Sequence, residues 1–408
     1  MSRTPDRTPG EHASATPGLP PSSDPHAYGP AATGPSWPPD ERPSRPSGAN
    51  PAPLSGSRTA PSSAAPGAQG APSPGPVPHR DGTPPGTAPR STRAHPGRGT
   101  APRRLPPGPG GAGPAPIRFG YGTNGLADLR LDDALGLLAD LGYDGVGLTL
   151  DHMHLDPLAD DLAARTRHVA RRLDALGLGV TVETGARYVL DPRRKHGPSL
   201  LDPDPGDRAR RADLLVRAVR VAADLGAHAV HCFSGVTPQG TDEGTAWKRL
   251  AETLAPVLDA AATEGVPLAV EPEPGHLLST LADFHTLRRA LGDPEHLGLT
   301  LDIGHCQCLE PLPPAECVRA AAPWLRHVQI EDMRRGVHEH LPFGDGEIDF
   351  PPVLEALAAT GYQGLTVVEL PRHSHAGPQF AAHSLPFLHR AAAAALPADR
   401  PGEPSATH

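Results

Sequence analysis

The sequence predicts an α/β fold, a (β/α)8 barrel preceded by a long Pro/Gly/Ala-rich N-terminal tail that is expected to be disordered. Three observations carry this expectation. From Ile117 onward, short apolar runs alternate with amphipathic stretches of helical length, eight times in roughly 280 residues, the size of one such barrel. Six helical stretches meet a glycine shortly before the next strand, at Gly142, Gly177, Gly226, Gly265, Gly292 and Gly361, which is helix-ending chemistry. The turn after the first strand, Gly120-Tyr121-Gly122-Thr123-Asn124-Gly125, lacks the spacing of a dinucleotide-binding loop, and this weakens the runner-up, a doubly wound open sheet.

The elements are expected in the following order. Strand one covers 117–122, and its helix 131–141 opens on Asp132 and Asp133, acidic residues that suit the positive end of a helix. Strand two covers 145–150 with a helix at 157–176, and strand three 179–183. A long loop then leads to the helix 207–225. Strand four at 229–232 is followed by a helix near 245–263, and strand five at 267–271 by one at 281–291. Strand six, 297–302, precedes a helix at 314–325. Strand seven, 327–330, precedes one at 351–359. Strand eight, 365–369, leads into the last helix, 379–396.

Composition separates the ends from the barrel. Of 54 prolines, 30 precede Ile117, with Gly, Ala, Ser and Thr filling most of the space between them. Such a stretch cannot bury enough apolar surface to offset the entropy of ordering it. The expected organisation is therefore a low-complexity tail over 1–116, a barrel over 117–398 and a flexible C-terminus over 399–408. Net charge is −9 for the whole chain, but the first 116 residues hold 11 arginines against 6 acidic residues, and the remainder 26 basic against 40 acidic. An acidic barrel is a poor partner for nucleic acid, and it suits a metal or a small polar substrate. No apolar run approaches the ~20 residues of a membrane span. Cys232, Cys306, Cys308 and Cys317 form no CxxC pair and no disulfide framework; they read as inert packing residues. With no apolar signal core after Met1, a cytoplasmic location is expected.

Chemistry in such a barrel sits at the C-terminal ends of the strands. Those ends carry Asp151 and His152 after strand two, Glu183 at three, His231 at four, Glu271 at five, Asp302 at six, Gln329 near the end of seven and Glu369 at eight. Carboxylates converging on one mouth repel one another and are costly to bury alone. A divalent cation relieves both problems. An oxygen-rich set of ligands suits Mn²⁺, Mg²⁺ or Co²⁺, and added histidines would shift it toward Zn²⁺. Glu273, two residues past Glu271, reads as solvated or as a support behind the ligands.

Several motifs carry a resemblance. Leu268-Ala269-Val270-Glu271-Pro272, Leu299-Thr300-Leu301-Asp302-Ile303-Gly304-His305, His327-Val328-Gln329-Ile330-Glu331-Asp332, Pro342-Phe343-Gly344-Asp345-Gly346-Glu347-Ile348-Asp349-Phe350 and Val368-Glu369 stand in register with the last four strands of the xylose isomerase-like barrels. The sequence from about 117 to 395 resembles their sugar phosphate isomerase/epimerase members. The resemblance implies that Glu271, Asp302, the strand-seven residue and Glu369 bind a divalent metal, with Glu271 and Glu369 as the acid/base pair of a proton shift on a carbohydrate-like substrate. It implies substrate contacts from His305 and Arg335, and His231, Glu183 and His152 are further candidates for the same role. Gln329 stands where the family usually has a histidine; its amide oxygen suits a hard cation better than zinc. His327, two residues earlier, shares the inward face but lies deeper.

Two alternatives stay open. Endonuclease IV-like relatives of this barrel hold three zinc ions, and His152 or His154, His231, His305, His338 and His340 are candidates for such a multinuclear hydrolase. A non-enzymatic ligand-binding barrel is the other. The loop after strand three, with Arg187, Arg193, Arg194, Lys195 and His196, could receive a phosphate or carboxylate. Oligomeric state is not legible.

Overall fold

The computed structural model describes residues 116–395 of the chain. The expectation for a tail over residues 1–116 lies, but for Pro116, outside those residues, as does that for a flexible C-terminus over 399–408. Within them, β1 (Arg118–Gly122), α1 (Leu131–Leu141), β2 (Gly145–Thr149), α2 (Leu162–Leu176), β3 (Gly179–Glu183), α3 (Pro205–Leu225), β4 (Val230–Phe233), α4 (Glu243–Glu264), β5 (Leu268–Glu271) and α5 (Leu281–Ala290) alternate as expected. They are followed by β6 (Leu297–Asp302), α6 (Ile303–Leu309), α7 (Pro314–Ala321), β7 (Leu325–Ile330), the short strands β8 (Asp332–Arg334) and β9 (Val337–Leu341), α8 (Phe350–Ala359), β10 (Leu365–Val368) and α9 (Gly377–Ala395). Eight parallel strands close into a barrel in the order β1-β10-β7-β6-β5-β4-β3-β2, and β8 and β9 form a separate antiparallel hairpin. The closed barrel decides against the open sheet.

Local chemistry explains the boundaries. Asp204 caps α3 through the N–H of Asp207, with Pro205 in the first turn. Thr280 and Asp283 cap α5 reciprocally. All six helix-ending glycines have positive φ, and Gly142, Gly177, Gly226 and Gly265 are themselves the C-caps. The strands are buried on both faces, as parallel strands under a ring of helices must be. Among the described residues no helix is long and apolar enough to cross a membrane. All four cysteines are free and buried, as expected.

The structure departs from the expected elements around the site. Helix α2 begins at Leu162, not 157. After β6 there is no loop: Asp302 accepts the His305 N–H at 2.8 Å and caps α6 directly, so the region before β7 holds two helices where one was expected. The segment after β7, expected as loop, is the β8–β9 hairpin, paired Asp332 to Leu341 and Arg334 to Val337.

Candidate active site

A cavity of about 530 Å³ opens at the C-terminal ends of the strands. Glu271 and Glu369, at the ends of β5 and β10, both line it, together with Asn124, Asp151, His231 and His340. Asn124 Nδ2 donates to Glu369 Oε1 at 2.9 Å. His231, which lines the cavity as a substrate contact would, also donates from Nε2 to Glu271 Oε2 at 2.6 Å and so positions that carboxylate. His305 is buried behind Glu271: its Nδ1 is 3.2 Å from the carbonyl oxygen of Pro272 and 3.2 Å from Glu271 Oε1, and its Nε2 is 3.0 Å from His338 Nε2.

Electrostatics divide the carboxylates. Burial pushes Glu271 up, but His231 and His305 beside it outweigh that and hold it well below the usual carboxylate range. Glu369 goes the other way, raised well above that range by burial and by Glu271, Glu183 and Asp302. Burial, with Asp302 and Glu369 nearby, raises Glu331 in the same direction. Glu273 is pushed up to about 7, chiefly by burial. His305 is raised well above its ordinary value: burial opposes this, and Asp302, Glu273 and Glu271 prevail.

The donor atoms here fit a cation. Asp302 Oδ2, Gln329 Oε1, both carboxylate oxygens of Glu331 and His340 Nδ1 are buried without a hydrogen-bond partner, an arrangement that is expensive unless something else satisfies them. Asp302, Glu331, His340 and Glu369 each place a ligand atom within 4.8 Å of the others. Two further groups meet the same measure: Glu271, Glu273 and His305, and His305, His338 and His340. Sequence reasoning missed Glu331 altogether. Its signal was parity: on a strand, 327, 329 and 331 share one face. Glu273 was expected in solvent or in support, and it faces this cluster.

Other expected site residues are placed elsewhere. Glu183 is buried inside the barrel, where its Oε1 lies 3.2 Å from His327 Nε2 and its Oε2 accepts from Thr149 Oγ1 at 3.3 Å; it does not border the cavity, which corrects its expected substrate role. His327 is deeper than Gln329, as expected, and fully buried. Arg335 is also corrected. Its guanidinium donates to the carbonyls of Gln307 and Glu310 at the end of α6, because the hairpin turns it outward over that helix. His152 borders the cavity from the exposed rim, whereas His154 turns away to the Leu129 carbonyl. Of the loop after β3, Arg187, Lys195 and His196 line the cavity and Arg372 joins them, while Arg194 is committed to Asp191, Asp202 and Asp207.

Residues 135–391 match the family described as the xylose isomerase-like TIM barrel. The chain belongs to this family. Among its xylose isomerase-like relatives is the L-ribulose-5-phosphate 3-epimerase UlaE of Escherichia coli K12, 25% identical over 246 residues that span 58% of this chain and 81% of UlaE. The 2-oxo-tetronate isomerase of Cupriavidus necator is 28% identical over 165 residues, 39% of this chain and 61% of that one. The structure of the 3-keto-D-glucoside 4-epimerase YcjR from E. coli superposes with a TM-score of 0.56 and 19% identity, covering 67% of this chain and all of YcjR; at that identity it speaks for the fold. The named relatives are thus sugar epimerases and isomerases.

Proposed function

We propose that the protein is a divalent-metal-dependent sugar isomerase or epimerase acting on a sugar, a sugar phosphate or a related polyol. The observation that carries this reading is that Glu271 and Glu369 face one cavity beside a cluster of buried donor atoms without hydrogen-bond partners. Two carboxyl groups on one cavity suit a base and an acid acting in one turnover. Glu271, held ionised by His231, takes the proton from the carbon next to the carbonyl. Glu369, steadied by Asn124, returns a proton to the adjacent position or to the opposite face. Glu271, Asp302 and Glu369 hold the cation in this reading, with Gln329 as the strand-seven candidate. When bound, a divalent cation polarises carbonyl and hydroxyl oxygens and acidifies the neighbouring C–H. Arg187, Lys195 and Arg372 at the rim give an acidic substituent of the substrate a place to sit.

The convergence of His305, His338 and His340 favours a second reading, a multinuclear zinc hydrolase. Deuterium exchange separates the two. Ketoses and their phosphates incubated with enzyme and Mn²⁺ in heavy water are expected to take up deuterium next to the carbonyl. Glu271→Gln and Glu369→Gln are each expected to slow this by about 10²–10⁴-fold. Unchanged exchange in both variants would remove the acid/base assignment, and three zinc ions per chain without exchange would favour the hydrolase.

A further inference from the structure

We propose that this chain takes its metal's nitrogen ligand from the β8–β9 hairpin and not from the seventh barrel strand: His340, with Glu331 beside it, joins Asp302 and Glu369 around one divalent cation. This rests on the metal reading above and names ligands that it lacks. Gln329 faces inward in register with Asp302, but an amide offers a cation only its oxygen. Just past the end of β7, Glu331 brings its carboxylate to Asp302 and Glu369. There it meets His340, whose Nδ1 is 3.4 Å from Glu331 Oε1. Neither atom has a hydrogen bond, and both side chains are buried.

The spacing suits one ion. Two ligands of a common ion stand at most about 4.4 Å apart, twice a bond of about 2.2 Å. The four donor atoms already lie within 4.8 Å, so closure needs only a few tenths of an ångström. The chain also makes room for this arrangement. A Cβ on residue 304 would run into Glu331 Oε1, so the glycine found there leaves room for Glu331 in this position. A Cβ on residue 346 would likewise meet Asp332 Oδ1 at 2.2 Å. Asp332 accepts the N–H groups of Met333, Gly344 and Ile348 and so locks the base of the hairpin. The turn is fastened to α6 by Arg335 and by the Gly336 N–H on the Cys308 carbonyl at 3.0 Å. His340 is therefore held as firmly as a strand residue, although it lies outside the barrel.

An imidazole among carboxylates moves preference from Mg²⁺ toward Mn²⁺, Co²⁺ and Zn²⁺. The test uses the full chain, stripped with chelator and titrated with Co²⁺ by calorimetry and visible absorption, whose bands respond to nitrogen ligation. His340→Gln is expected to weaken Co²⁺ binding at least about tenfold and to shift the bands. Gln329→Leu is expected to shift the bands less than His340→Gln, because it removes no nitrogen ligand. The wild-type Co²⁺ form should also show a paramagnetically shifted, exchangeable imidazole N–H proton, a measurement that needs no variant. Unchanged affinity and bands in His340→Gln, or no shifted N–H signal, would overturn the proposal. If Asp302→Asn loses Co²⁺ while His340→Gln keeps it, the cation reading survives without this ligand. If the wild type binds no Co²⁺, both fall.

Discussion

Asp302 shows at single-residue scale how one side chain serves both fold and site. Its Oδ1 caps α6 through the His305 N–H, and its Oδ2 is buried without a hydrogen bond among Glu331, His340 and Glu369. The two oxygens can be separated experimentally. Asp302→Asn keeps an acceptor for the cap and removes the charge; Asp302→Ala removes both. Any rise in melting temperature caused by added Mn²⁺ is expected to vanish in each variant. Asp302→Ala is expected to be about 1 kcal/mol less stable than Asp302→Asn, the cost of a lost helix cap. Full metal occupancy in either variant by elemental analysis would place the site elsewhere. His231 belongs to the same scale: it borders the cavity and also sets the charge of Glu271, which no inspection of strand ends could foretell.

The β8–β9 hairpin is the element on which the site turns. Three-residue and five-residue strands carry too little periodicity to announce themselves, and Pro342, Gly344 and Gly346 read as loop. What orders the segment is contact with α6 and with Asp332. Arg335 is the accessible handle, since it is exposed and bridges the hairpin to the α6 carbonyls of Gln307 and Glu310. Arg335→Ala is expected to lower amide-exchange protection across 337–341 by about tenfold, equivalent to about 1.4 kcal/mol of local stability, while the barrel strands keep theirs. Equal loss of protection in β1 to β7 would mean that Arg335 supports the whole fold and not this element. The same contact explains the misplaced expectation: an arginine soon after strand seven points to substrate only if the chain there runs over the mouth, and here it runs over a helix.

At the scale of the whole molecule, three half-buried histidines are held in their neutral form. His228, His196 and His276 are each lowered to about 4, with burial the leading cause in every case. The unfolded chain binds protons at these positions near pH 6.5 and the folded chain does not. Their contribution to stability is therefore present above about pH 6.5 and lost as pH falls toward 4. His305 and the raised carboxylates of the site act in the opposite direction, so the effect is read from urea unfolding between about pH 7 and 4.5 as a difference between wild type and a variant. His228 lies far from the cavity, beside Leu325 and Arg326 at the other end of the barrel. His228→Gln is expected to remove its share of that loss and to leave metal binding alone. An equal slope in the variant would show that His228 is protonated in the folded state too.

Residue pattern alone determined the architecture: eight apolar runs, the glycines that end the helices, and carboxylates at the ends of strands five, six and eight. Each is a local property with a short period, so it can be read without knowing what lies opposite. Tertiary structure decided which polar groups share a volume. Glu331 and His340 are nine residues apart on a segment that looked like loop, and only the closing of the hairpin over α6 brings them to 3.4 Å. Glu183 and Arg335 were read by their places in the chain and left the site for the same reason. Glu183 found His327 across the barrel, and Arg335 found the end of a helix. Distance between side chains from different elements depends on strand register and hairpin direction, and neither is written in the residues that depend on them.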